Sequence, residues 1–92
     1  MDIVWDEAKN RLLKRTRGVS FELAAQVIRN HREIAILENP VRPGQIYYIM
    51  PFNDYIHVVP ALINEAEQIV LKTIFPSRKY QKVYGGNHVE RG

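Results

Sequence analysis

The run Arg17-Gly18-Val19-Ser20-Phe21 constrains this chain more than any other stretch. It reads as a helix stop followed at once by a helix start. Glycine adopts the left-handed conformation that ends a helix, and serine caps the N-terminus of the next one. Upstream, Asp6 is an N-cap candidate, and Glu7 suits the positive end of the helix dipole. Ala8, Leu12 and Leu13 recur at helical spacing, while Arg11, Lys14 and Arg15 occupy the opposite face. Downstream, Phe21, Ala24, Ala25, Val27 and Ile28 form a second apolar stripe, and Arg29 to Arg32 close that helix. Two amphipathic helices joined by so short a link must bury their stripes on a common surface.

The rest of the chain supplies that surface. Ile3-Val4-Trp5 reads as a short edge strand, and residues 34–37 as another. Gln45 to Met50 is rich in β-formers, and Phe52-Asn53-Asp54-Tyr55 carries a tight hairpin signal. Tyr55 to Ile63 forms the next strand, with Pro60 marking a weak or bulged end. Gln68 to Phe75 is the last strand. Ser77 then caps a short helix from Arg78 to Tyr84, stopped by Gly85-Gly86. Consecutive strands with short turns imply an antiparallel meander. The expected fold is α+β: two N-terminal helices packed on one face of a four-stranded antiparallel sheet, followed by a short C-terminal helix. Residues 1–86 form the one domain, and residues 87–92 read as a polar tail.

Charge is unevenly spread. Residues 1–33 hold seven basic and five acidic side chains, residues 34–70 one and four, and residues 71–92 five and one. Five of the cations fall between Lys9 and Arg17 with no acid among them. Segregation of this kind favours a polyanion or an acidic protein as partner over a uniformly solvated surface. The absence of cysteine fits a reducing compartment. No apolar run approaches the ~20 residues of a membrane span, and the N-terminus lacks a signal-peptide core. A cytoplasmic protein without membrane contact is expected.

Several side chains could carry chemistry. His31, His57 and His88 lack metal-ligand spacing, so neither a metal site nor a cofactor is expected. His57 lies inside a strand, on the same side as Tyr55 and Val59. It reads either as a general acid or base or as a half-exposed strand residue. Lys72, near the middle of the last strand, either snorkels to solvent or reaches into a site. Arg78 and Lys79 open a helix, where cations run against the dipole; a bound phosphate would offset that cost. Tyr55, Tyr80 and Tyr84 are the tyrosines best placed to stack on unpaired bases.

The stretches Val4-Trp5-Asp6-Glu7-Ala8-Lys9-Asn10, Arg17-Gly18-Val19-Ser20-Phe21-Glu22 and Ile74-Phe75-Pro76-Ser77-Arg78-Lys79 resemble the BrnT family of bacterial toxins. The resemblance spans about residues 3–84. It implies a RelE/ParE-like fold, translation-blocking ribonuclease activity, an RNA substrate and a cognate ribbon-helix-helix antitoxin. A homo-oligomer and a hetero-oligomer with that antitoxin are both compatible with it. The family usually has a histidine before the Gly-Val-Ser-Phe step, where this chain has Arg17. Guanidinium does not deprotonate, so Arg17 would bind phosphate rather than move protons.

The reading that follows is a metal-free endoribonuclease toxin. Arg78 and Arg17 would hold the scissile phosphate, and His57 or Tyr80 would transfer protons. Lys72, Lys79, Lys14 and Arg15 would bind the substrate's other phosphates. The alternative is a non-catalytic toxin relative, or a small basic module that binds an acidic antitoxin or nucleic acid.

Overall fold

A computed structural model describes residues 1–86; the expected tail, 87–92, lies outside the described residues. The order of elements is β1 (Ile3–Val4), α1 (Glu7–Arg17), α2 (Phe21–Arg29), β2 (Ala35–Glu38), β3 (Gln45–Phe52), β4 (Tyr55–Ile63), β5 (Ile69–Leu71), β6 (Phe75–Pro76) and α3 (Arg78–Tyr80). A π-helical stretch, Gln81–Gly85, continues α3.

The helix boundaries form as the caps dictate. The Asp6 carboxylate accepts from the amides of Ala8 and Lys9, and Ser20 Oγ accepts from Leu23 N–H. Gly18 ends α1 at φ 67°, where a β-carbon would add strain. A buried side chain reinforces this joint. Asn10 Oδ1 accepts from Phe21 N–H at 2.8 Å, and its Nδ2 donates to Glu22 Oε1 at 2.8 Å. Asn10 thus satisfies an amide at the start of α2 that the helix itself leaves without a partner.

The sheet is larger than expected and mixed rather than wholly antiparallel. Five strands run in the order β1-β5-β4-β3-β2, and β6 makes a sixth by pairing with β4. The β2–β3, β3–β4, β4–β5 and β4–β6 pairs are antiparallel, whereas β1 lies parallel to β5. The two helices carry the chain from β1 to β2 at the opposite edge, and the antiparallel meander from β2 to β5 then returns beside β1 in the same direction.

The expected single strand from Gln68 to Phe75 is broken in two, and Pro60 accounts for the break. Its carbonyl accepts from Lys72 N–H at 2.9 Å, but it has no N–H to return. The outer ladder lapses there. Ala61 pairs with Leu71 and Val58 with Phe75, so three steps along β4 match four along its partner. The additional residue is a bulge within 72–74. Lys72 therefore lies in a connection, not in mid-strand.

On one face of the sheet, Phe21, Ala24, Ala25 and Ile28 of α2 join Leu13, Met50, Val59, Leu71 and Ile74 in the main core. Helix α1 contributes less than its sequence stripe implies. Leu13 is buried, but Leu12 is 46% exposed and Ala8 is also exposed. Asn10 and Leu13, three apart, form the inward line instead, because the buried hydrogen bonds of Asn10 fix the helix rotation. The second face is covered too. Tyr80 and Tyr84 pack on Ile49, Ile56 and Val58, and Gln81 Oε1 accepts from Ile56 N–H at 2.8 Å.

Candidate active site

The β3–β4 hairpin turns at Asn53 and Asp54, with φ of 53° and 63°. Positive φ at both central residues matches strand twist, and Asn and Asp tolerate it better than most residues. The turn sets Tyr55 and then His57 on the α2 side of the sheet, with Ile56 and Val58 on the other.

His57 is 7% exposed. Its ring meets Phe52 edge-to-face at a centroid distance of 5.3 Å, and Tyr55 at 6.2 Å. Nδ1 lies 2.9 Å from the Tyr55 carbonyl oxygen. A carbonyl only accepts, so Nδ1 carries the hydrogen and Nε2 holds the lone pair in the neutral ring. Nε2 has no hydrogen-bond partner among the described residues; because none of the buried side-chain nitrogens and oxygens there is left unpaired, this atom of the otherwise buried ring is open to solvent. Burial pushes the imidazole below the usual histidine range, the Tyr55 carbonyl opposes this, and the Arg17 charge adds to the depression. The neutral ring is therefore the stable form at neutral pH.

Arg17 ends α1 and is exposed. One of its guanidinium nitrogens, Nη1, donates to the Ile74 carbonyl at 2.8 Å. That carbonyl lies in the bulged segment that Pro60 forces out of the ladder. The bond ties the helix junction to the connection between β5 and β6, and the remaining guanidinium donors stay available.

The fold thus sets the Arg17 charge near enough to act on the His57 ring, from positions 40 residues apart in sequence. Pro76 pairs with His57, so Arg78, two residues on, leaves the sheet at the His57 edge. Lys79 Nζ lies 5.3 Å from the Tyr80 ring centroid. Tyr80 itself packs on the far face, away from His57. Lys72 and Arg15 are exposed, and Lys14 is bound to Glu22 at 3.1 Å. Asn10 and the Ile74 carbonyl escape sequence reasoning. The inward spacing of Asn10 with Leu13 is a signal for the first; nothing marks the second. Among the described residues no three His, Cys, Asp or Glu side chains gather as metal ligands would, and no helix is long and apolar enough to cross a membrane.

Comparison with family models finds no match, and neither does comparison with curated protein sequences. Among solved structures the chain is similar to the ribonuclease toxin BrnT of Brucella abortus, a 1.1 Å crystal structure. The TM-score is 0.60 at 19% sequence identity, over 84% of this chain and 96% of that one. The chain has the fold of that toxin.

Proposed function

We propose that this protein is the toxin of a toxin–antitoxin pair, an endoribonuclease that uses the RNA's own 2′-hydroxyl as nucleophile. The observation that carries the reading is the neutral, partner-free Nε2 of His57 beside the Arg17 guanidinium, on a fold shared with a ribonuclease toxin. Nε2 removes the 2′-hydroxyl proton, and the oxygen attacks the adjacent phosphorus. The bond to the 5′-oxygen breaks, that oxygen takes a proton from water, the hydroxide so formed recovers the proton held on Nε2, and a 2′,3′-cyclic phosphate remains. Arg17 stabilises the charge that builds on the phosphoryl oxygens, and a planar donor fork suits that task better than a point charge. Arg78 and Lys79 hold phosphate just beyond β6, and Lys72, Lys14 and Arg15 contribute to the wider basic surface. Tyr80, packed on the far face, has no proton-transfer role in this scheme. The histidine expected before Gly18 is replaced in function by one on β4.

The partner in this reading is an antitoxin whose acidic segment covers the basic surface. The reading is tested by incubating purified protein with single-stranded RNA in excess chelator. Cleavage with cyclic phosphate ends is expected, together with growth arrest on expression of the wild type but not of His57→Gln. RNA that is bound and left intact would instead favour the non-catalytic binding module.

A further inference from the structure

Four of the five tyrosines have an evident packing task. Tyr48 is part of the main core, and Tyr47, Tyr80 and Tyr84 pack against the second. Tyr55 belongs to neither. It is half-buried, and its aromatic neighbour is the His57 ring, at 6.2 Å and an interplanar angle of 88°. Nothing among the described residues bonds its hydroxyl. It stands at the first position after a tight turn, with two backbone angles held positive, so its Cα is firmly placed. A rigid aromatic ring left partly open, two residues from a catalytic base and on the same face, has one obvious chemical use. It can receive the flat face of a nucleobase.

We infer that Tyr55 is the base platform of the site, stacking on the base of the nucleotide whose 2′-hydroxyl His57 deprotonates. The inference rests on the ribonuclease reading and goes beyond it by defining the substrate as single-stranded RNA with an unstacked base at the cut. A ribose held with its 2′-oxygen at Nε2 carries its own base; of the two rings that meet His57, Phe52 is buried and Tyr55 is partly open to receive it. A base inside a duplex has both faces covered by its stacked neighbours, so duplex RNA is refused. The backbone carbonyl of Tyr55 separately fixes the His57 tautomer. Changing the side chain therefore leaves the base catalyst intact and should act on binding.

The test uses two kinds of change. The first is in the RNA: a single-stranded oligonucleotide beside the same strand with one abasic ribose at the cut position, both carrying 2′-O-methyl there to block cleavage. Wild-type protein should bind the abasic strand about 10-fold more weakly, since a stacked base contributes on that order. The second is in the protein. Tyr55→Phe should bind like the wild type, and Tyr55→Leu should lose about 10-fold on the intact strand but nothing further on the abasic one. On cleavable RNA, Tyr55→Leu should raise KM with kcat little changed. Equal affinity of the wild type for both strands would overturn the platform, as would a Tyr55→Leu loss that persists on abasic RNA. Binding is measured without turnover, so these outcomes stand apart from whether the wild type cuts RNA, which judges the ribonuclease reading alone.

Discussion

The two helices at the start of the chain follow one another with only three residues between them, yet they are held in opposite ways. Helix α2 buries Phe21, Ala24, Ala25 and Ile28, and is attached by apolar area. Helix α1, though two residues longer, buries only Asn10 and Leu13. Its ties are polar: Asn10 to the start of α2, Lys14 to Glu22, and Arg17 to the Ile74 carbonyl. A helix held by area makes the core and can present little else. One held by a few directed bonds leaves most of its surface free and aims its last residue with precision. Helix α2 thus anchors the domain, and α1 holds Arg17 where the proposed site needs it.

Replacement of Phe21 strikes the apolar side of this contrast. Phe21→Ala should cost about 3–5 kcal/mol in urea denaturation, while Leu12→Ala on exposed α1 should stay within ~0.5 kcal/mol. A large Leu12 effect would mean that α1 also packs by area. Asn10→Ala tests the polar side. It strands the Phe21 amide, and about 1–3 kcal/mol of stability should go, with RNA cleavage falling further than stability alone explains, because Arg17 is released from its angle.

A third prediction concerns pH. Burial lowers the folded pKa of His57 below its unfolded value of about 6.5. The unfolded chain then binds more protons in the window below 6.5. The contribution to stability is complete above that value and is lost as pH falls through it toward the folded pKa. His57→Gln should flatten this dependence in thermal melts from pH 7 to 5. The smallest effect belongs to the exposed Lys14–Glu22 pair, whose side chains are 48% and 49% accessible. Lys14→Ala should cost less than ~1 kcal/mol, and less still in high salt.

Much of this architecture was legible in residue order because it is local. The caps at Asp6 and Ser20, the stop at Gly18 and the hairpin at Asn53-Asp54 each depend on a few neighbours. What the sequence withheld is pairing at a distance. Nothing in Ile3-Val4 says that its partner is Ile69-Val70. Pro60 signalled a weak point in its own strand, but the disruption fell on the strand beside it, where the missing N–H left residues 72–74 out of register. That displacement exposes the Ile74 carbonyl to Arg17, so the site's geometry follows from a proline three residues beyond His57. The helix stripe misled at Leu12 because a buried polar residue, Asn10, took the inward position that periodicity gives to apolar ones. Arg17 and His57 were each visible as candidates, but only the fold puts the charge of the first within reach of the second.

Arg17 and His57 are proposed to act as one unit, and the pH–rate profile of RNA cleavage by wild-type protein and Arg17→Gln tests this most directly. The wild-type rate should climb through an inflection below the ordinary histidine value of about 6.5 and stay level through neutrality. In Arg17→Gln the plateau should drop by roughly 10²–10³, as when a transition-state donor is removed. The inflection should also move up, because a nearby positive charge no longer disfavours the imidazolium. A rate that ignores pH across the acid range, or an Arg17→Gln profile that overlays the wild type, would contradict the account.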